Sequence, residues 1–481
     1  MNSALPKSAA DARAVGAAVL IALALRLVQA ALRWDELALA YVAYAQPWLD
    51  RAAAGEWAAA LGTFTGLHPP LHSLILGVLN VIWGAPAAWI LWSALASTGA
   101  VWLLGRAEGA GAAFVLALDP LQLQYAAEVN NYPTLCLLAA AAWAARQRAM
   151  SGGGGAWLGI IGGLGGLCHL LGGVWAGLCA LSVLGRDRRA AATALGLMAI
   201  IDAAVIVRAA QLSGGEGTFG QAGLALEPIV EGLGGKLGPV LWLWPLALVF
   251  VARRPGLSAV GLGYSLIVLG WMALGVAAPH QQPYWLLTSV AVAGLWGAAP
   301  RLMLAVALMV SMAQLRPLFE DASGLWQRLG WDRGVDQALL GSRPGDALWL
   351  LAPGLAPDDD KRQSSDVLWR FDPFAPAPPW RGDGDQPSFE YTDYGFGQPR
   401  WLGGRVVHTS TDLWPAQLDA ALGWHLDAGR RVWFVLYDHS PAYDYEGKLT
   451  RALRPYAHRC VSVGDDHGLG QDLLCVVEGR L

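Results

Sequence analysis

Two adjacent carboxylates, Asp35 and Glu36, follow directly on the first long apolar run, in the string Arg33-Trp34-Asp35-Glu36. An acid at a membrane surface can take a proton from an incoming hydroxyl or amine. It can also offer oxygen ligands to a divalent cation, or simply sit well against a helix N-terminus. A second group is His68-Pro69-Pro70-Leu71-His72. Proline is tolerated in the first turn of a helix and not in its interior, so the pair marks an abrupt helix start with His68 just before it. The plain alternative for His68 is a cap and interface anchor. The third group is Asp119-Pro120, followed by Glu128, Asn130, Asn131, Tyr132 and Pro133 between two apolar runs. An ionisable group such as Glu128 at the end of an apolar span is a functional candidate, or else an ordinary loop acid. His169 sits at the tip of a Gly-rich hairpin, and His280-Gln281-Gln282-Pro283-Tyr284-Trp285 lies between two late apolar runs. Histidines there can donate to phosphate oxygens, although a lone His in an apolar run is more often a core residue. Lys236 and Arg208 are further candidate phosphate partners.

These groups need elements to hold them, and composition says which kind. Hydrophobic residues make up 55% of the 481 and charged residues 15%, against about 25% charged in soluble domains. The mean hydropathy is +0.39. Apolar runs of nearly the roughly 20 residues that cross a bilayer recur through the first two thirds, and backbone in lipid must pair within its own segment, so they should be helices. The runs fall at about 14–32, 87–105, 110–126, 133–147, 156–170, 171–185, 190–209, 238–252, 256–278, 284–300 and 302–315, predicting about eleven spans. Residues 14–32 read as a retained first span, since no clear cleavage site follows. Arg106, Arg146, Arg148, Arg186, Arg188, Arg189, Arg253, Arg254 and Arg301 close spans on one side, which the positive-inside rule makes cytoplasmic. That holds if 70–83, short for a span, stays at the outer face or re-enters. The candidate groups then share the outer side. The stretch after Asp35 reads as a helix in the interface plane, and the Gly-rich 210–237 as a loop. The 24 Trp suit membrane interfaces. A net charge of −4 argues against a nucleic-acid partner.

Two domains are expected: residues 1–315 in the membrane and a polar domain over 316–481. In the second, ALWLLAP and RVWFVLYD read as buried strands. LDAALGWHLDAG reads as a helix with a Gly cap, and KLTRALRPY as another helix. CVSVG and LLCVVEG read as paired strands. The expectation is a small α/β domain on the non-cytoplasmic side. Cys136, Cys168 and Cys179 read as buried thiols. Cys460 and Cys475 read either as a disulfide, outside the cytoplasm, or as two unpaired core residues.

The order and spacing of the first three groups resemble those of the GT-C superfamily of polytopic glycosyltransferases, nearest to its family 39-like members, the protein O-mannosyltransferases and the aminoarabinose transferases of lipid A. The resemblance covers about residues 14–315. It rests on Asp35-Glu36 after the first span, His68-Pro69-Pro70-Leu71 opening a helix, and Pro120 with Glu128 and Tyr132, closed by Arg146 and Arg148. It implies an α-helical polytopic plasma-membrane protein that uses a polyprenyl-phosphate sugar as donor. The base is then Asp35, with Glu36 as its neighbour or substitute, and Glu128 is the second acid. His68 orients the acid or the acceptor. His280 to Tyr284 stands where the family has a donor-phosphate loop, and Tyr132, His169 and Lys236 join the substrate-binding set. Asn130 and Pro283 stand where many members carry Arg, so the remaining cations and histidines would compensate, the donor would differ, or activity would be lost. The sugar, the acceptor (glycan, lipid or protein) and any divalent cation are not fixed by the sequence. The rival reading is a lipid or sugar transporter or flippase, which should show repeated halves and interrupted helices; no repeat is seen.

Overall fold

The computed structural model describes residues 9–32, 69–83, 86–126, 130–213, 243–273, 282–319, 345–351, 400–402, 405–410, 415–436, 445–464 and 472–481, with shorter stretches between 51 and 56 and between 334 and 343. Contacts divide the chain into two compact units, one built mainly before residue 326 and the other mainly from 327 to 481.

The first unit is helical. Its elements are α1 (Ala9–Leu32), α2 (Pro70–Trp83), α3 (Pro86–Glu108), α4 (Ala110–Ala117), α5 (Pro120–Ala126), α6 (Tyr132–Met150), α7 (Ala156–Cys168), α8 (Leu170–Leu181) and α9 (Arg188–Ser213). There follow α10 (Leu243–Ala247), a 3-10 turn to Arg253, α11 (Pro255–Ala273), a 3-10 turn over Gln282–Trp285, α12 (Leu286–Trp296) and α13 (Arg301–Phe319). The described parts of the expected runs are thus mainly helical, with breaks at His169 inside 156–170 and inside 110–126, where Pro120 cannot continue a helix. Pro70 begins α2, as the diproline predicts. Two described helices, Ala87–Glu108 and Pro255–Ala273, are long and apolar enough to cross a bilayer, and six apolar helical segments are shorter. The core joins the helices through Trp143, Trp175, Tyr264 and Trp296. Outward, Val81, Ile82, Ile200, Val249, Leu262 and Leu302 are each more than 60% exposed. An apolar surface of that extent calls for a cover other than water.

Small residues let helix backbones approach closely, which makes their contacts extensive. Here α7 turns a glycine face to α9. A Cβ on Gly159 would stand 3.0 Å from the Ala194 Cα, and one on Gly163 2.7 Å from the Ile201 Cβ. At Gly155 a Cβ would overlap the Ala190 carbonyl, which is backbone and cannot swing away. Gly155→Ala is therefore expected to cost roughly 1–3 kcal/mol or more. Gly177→Ala, whose Cβ meets nothing within 4 Å, should gain roughly 0.5–1 kcal/mol from the better helix former. Denaturant titration of the full chain in detergent compares the two; equal shifts would mean that α7 and α9 do not meet closely.

The second unit is a mixed sheet with helices. Its elements are β1 (Ala347–Leu351), β2 (Arg400–Leu402), β3 (Arg405–Ser410), α14 (Pro415–Asp427), β4 (Val432–Leu436), α15 (Tyr445–Leu453), β5 (Tyr456–Gly464) and β6 (Asp472–Arg480). The strand order is β2-β3-β1-β4-β6-β5. β1 runs parallel to β3 and β4, and β6 antiparallel to β4 and β5. Trp349 and Phe434 face each other across β1 and β4 and stack with centroids 5.4 Å apart. Gly429, at φ 70°, closes α14 with its N–H on the Leu426 carbonyl at 2.9 Å, the left-handed cap that glycine favours. At the start of β1, Asp346 accepts hydrogen bonds from Arg431 and Trp433. Burial alone would raise its carboxyl, but these bonds, the Arg343 amide and the Arg431 charge hold it below the usual range.

Cys460 and Cys475 are bonded. They sit directly opposite in the β5–β6 register, so pairing the strands brings the thiols together. Cys136, Cys168 and Cys179 are buried and free.

His425, on α14, is fully buried. Burial first, and the Arg430 charge second, push its imidazole down to about 3. The unfolded chain therefore binds this proton from near pH 6.5 downward while the folded unit does not, so stability is full above pH 6.5 and falls below it. Between pH 6.5 and 5 the loss should be about 2 kcal/mol, at about 1.4 kcal/mol per pH unit. Hydrogen exchange of the β4 amides should show this loss in the wild type and a flatter response in His425→Leu; parallel responses would remove His425 as the cause.

Candidate functional site

Three of the residues selected from the sequence meet at one end of the helical unit. Tyr132 opens α6, His169 links α7 to α8, and Tyr284 lies in the turn before α12. The His169 ring stands 5.9 Å from that of Tyr132 and 6.1 Å from that of Tyr284. Tyr125 of α5 packs edge-on against Tyr132 at 5.4 Å. All four rings are half-buried, so each keeps contact with the surroundings.

Local chemistry fixes the rings. His169 is extended, at φ −162° and ψ 140°, and caps α8 by accepting the Leu171 N–H on its side chain; Nδ1 is the acceptor, at 3.1 Å. A neutral ring that accepts at Nδ1 carries its proton on Nε2. Asn130 Oδ1 accepts the Tyr132 N–H at 2.9 Å, and Asn131 Nδ2 donates to the Cys168 carbonyl at 3.3 Å. The second bond ties the start of α6 to the end of α7. The Tyr264 hydroxyl donates to the Tyr284 carbonyl at 2.7 Å and holds that turn on α11. The result is a donor-rich aromatic cluster, suited to phosphate oxygens or sugar hydroxyls.

Asp35, Glu36, His68, Glu128, Lys236 and His280 lie outside the described residues, as does the interface stretch after Asp35. Arg208 falls within α9, which runs past the expected 209 to Ser213.

A polar layer packs around the broken span, and sequence reasoning took little of it. Arg26 of α1 is fully buried. Its Nε donates to Ser97 Oγ at 2.7 Å and its Nη1 to the Ala22 and Ala117 carbonyls at 3.2 and 3.3 Å. Ala117 ends α4, so a cation meets a helix C-terminus there. Asp119 accepts the Gln122 N–H at 2.9 Å, so an anion caps the start of α5. Gln122 reaches across to the Leu286 carbonyl and Ser289 Oγ. His72 and Trp92 converge on the Thr134 hydroxyl at 3.1 and 2.9 Å. Asp202 of α9 is buried against Gly166 of α7 and Gly173 of α8. Arg26 and Asp202 were both visible as lone charges inside apolar runs, a functional signal by default. Among the described residues no group of three His, Cys, Asp or Glu could hold a metal ion.

No protein-family model matches the chain, and no curated protein matches it. Among solved structures it is similar to the crystal structure of ArnT from Cupriavidus metallidurans bound to undecaprenyl phosphate, at 14% identity, with 96% of this chain and 98% of that one covered and a TM-score of 0.46. Resemblance at that distance transfers neither residue roles nor substrate.

Proposed function

We propose that this chain is a polytopic membrane glycosyltransferase of the GT-C type, moving a sugar from a polyprenyl-phosphate donor to an acceptor at the outer face of the membrane. The observation that carries this reading is the convergence of Tyr132, His169 and Tyr284 from three separate helix ends. The sequence had chosen all three as substrate contacts without knowing that they meet. The cluster lies at the end of α6 opposite Arg146 and Arg148, and arginine-rich ends face the cytoplasm. The Cys460–Cys475 bond supports a non-cytoplasmic second unit, since disulfides persist in oxidising compartments.

In this mechanism Asp35 takes the acceptor proton, with Glu36 beside it and Glu128 as the second acid. Attack at the anomeric carbon builds positive charge on the sugar and releases negative charge onto the phosphate, which carboxylates and hydrogen-bond donors respectively suit. His169, Tyr132 and Tyr284 serve as the donors, joined by His68, Lys236 and His280. A donor anchored by its lipid tail needs little further ordering to reach attack geometry. A single displacement inverts the anomeric centre.

One observation favours the rival reading, a lipid or sugar transporter. The break between α4 and α5 sets Arg26 and Asp119 at facing half-helix ends, as interrupted helices in transporters do. The test is a transfer assay with labelled polyprenyl-phosphate sugars on membranes carrying the wild type or Asp35→Asn. Transfer lost in the variant supports the enzyme. Movement of label across the bilayer without transfer supports the transporter.

A further inference from the structure

Among the described residues, the cations at the end of the helical unit away from the aromatic cluster are arginines. Arg13, Arg106, Arg148, Arg186, Arg188, Arg189, Arg253 and Arg301 are all exposed. Contacts bring these ends together. Asp11 accepts the Ala110 N–H, the Glu108 carboxylate binds Arg254, and Arg253 donates to the Ala298 carbonyl at 2.9 Å. The densest part lies where the α7–α9 packing ends. A Cβ on Gly153 would stand 2.6 Å from the Arg148 Cγ, and Gly155 abuts the Ala190 backbone. The Gly153–Gly155 turn thus runs from the Arg148 side chain at the end of α6 to the backbone of Ala190, which directly follows Arg188 and Arg189 in the first turn of α9. The acid within that stretch, Asp187, is engaged in capping α9 through the Ala190 N–H at 2.9 Å. Cations therefore outnumber acids there, and each guanidinium presents a fork that matches phosphate.

We infer that Arg148, Arg188 and Arg189 form a binding surface for the phosphodiester headgroup of an anionic phospholipid. The inference rests on the membrane reading above, and on nothing about the transfer reaction. A lipid is favoured over a soluble anion because apolar side chains border the cations. Trp157, on the first turn of α7, and Leu184, between α8 and α9, are exposed large hydrophobics beside which acyl chains can lie while guanidinium groups hold the phosphate.

The test follows thermal unfolding of the full chain in a zwitterionic detergent with added phosphatidylglycerol or phosphatidylcholine. Phosphatidylglycerol should raise the midpoint several degrees more than phosphatidylcholine does, because a ligand of the folded state stabilises it. The difference should shrink in high salt. It should vanish in Arg148→Gln/Arg188→Gln/Arg189→Gln and survive in Arg106→Gln/Arg301→Gln. If the triple variant does not fold, Arg188→Gln alone should lose part of the difference. Equal shifts from the two lipids, or a difference untouched by these substitutions, overturns the inference. The same shift from inorganic phosphate overturns the lipid assignment. Sugar transfer measured in parallel without added lipid reports on the catalytic reading alone, so the two can fail separately.

Discussion

Asparagine in place of Asp35 is expected to slow sugar transfer by roughly 10²–10⁴-fold, the range that a positioned general base contributes. The substitution keeps the shape of the side chain and removes its capacity to take a proton. An acceptor hydroxyl then attacks without being deprotonated, so the barrier rises while binding of the lipid-linked donor changes little. The loss should appear in kcat and not in the KM for donor, which marks an interaction made only in the transition state. Glu36 sharpens the test. If it merely stands beside the base, Glu36→Gln leaves most of the rate. If it substitutes for the base, Asp35→Asn retains turnover that only the double variant abolishes. Initial rates with labelled donor at saturating acceptor separate these cases, and equal rates for the wild type and the double variant would remove the acidic pair from the chemistry.

Glu108→Ala should destabilise the helical unit by roughly 3–5 kcal/mol, toward the lower end of that range. Glu108 is 4% exposed. Its Oε2 pairs with Arg254 Nε at 2.8 Å, and its Oε1 accepts from Trp143 Nε1 at 2.7 Å and Gln147 Nε2 at 3.1 Å. Truncation removes the anion of this group and leaves a buried donor, Trp143, and a half-buried one, Gln147, without their acceptor. Arg254, one third exposed, can turn toward water, which is why the lower end is expected. Removing both charges together should recover most of the loss, since a buried pair owes much of its apparent strength to the cost of orphaning one member. Denaturant titration of the full chain with Glu108→Ala, Glu108→Met, and Glu108→Met combined with Arg254→Met reads this directly. A double variant no better than Glu108→Ala would mean that the pair itself supplies the stability. Nearby, Arg146 donates to Ser182 Oγ at 2.8 Å and lies over the Trp143 ring at 4.6 Å. The ends of α3, α6 and α8 are thus joined by polar contacts through which Glu108 couples to α11.

Much of the architecture was legible one residue at a time. Apolar runs gave helices because backbone confined to apolar surroundings must close its own hydrogen bonds. Strand-length runs at 347–351 and 432–436 gave β1 and β4, and the glycine after Asp427 gave a cap. These are local properties, decided by period, composition and backbone freedom. The break in 110–126 was legible too, in Asp119-Pro120, but hydropathy averaged across it. β2 and β3 were missed, since Gly403-Gly404 splits a short apolar stretch whose strands form only by pairing, β3 on β1 and β2 on β3. The candidate site was legible as a set of residue types at helix ends, while Tyr125 was passed over because no neighbour in sequence marks it, and Arg26 and Asp202 although each stands as a lone charge inside an apolar run.

What the sequence by itself determined is the inventory: apolar helices, arginines at their ends, polar and aromatic groups between the runs, and a small α/β region after them. Only the tertiary structure decided which of these groups meet. Tyr132, His169 and Tyr284 are separated by 37 or more residues, and Cys460 reaches Cys475 only through the β5–β6 register. Such meetings depend on where each helix crosses its neighbours, which is set by steric fit at positions such as Gly155 against Ala190 and not by any property that a residue carries alone.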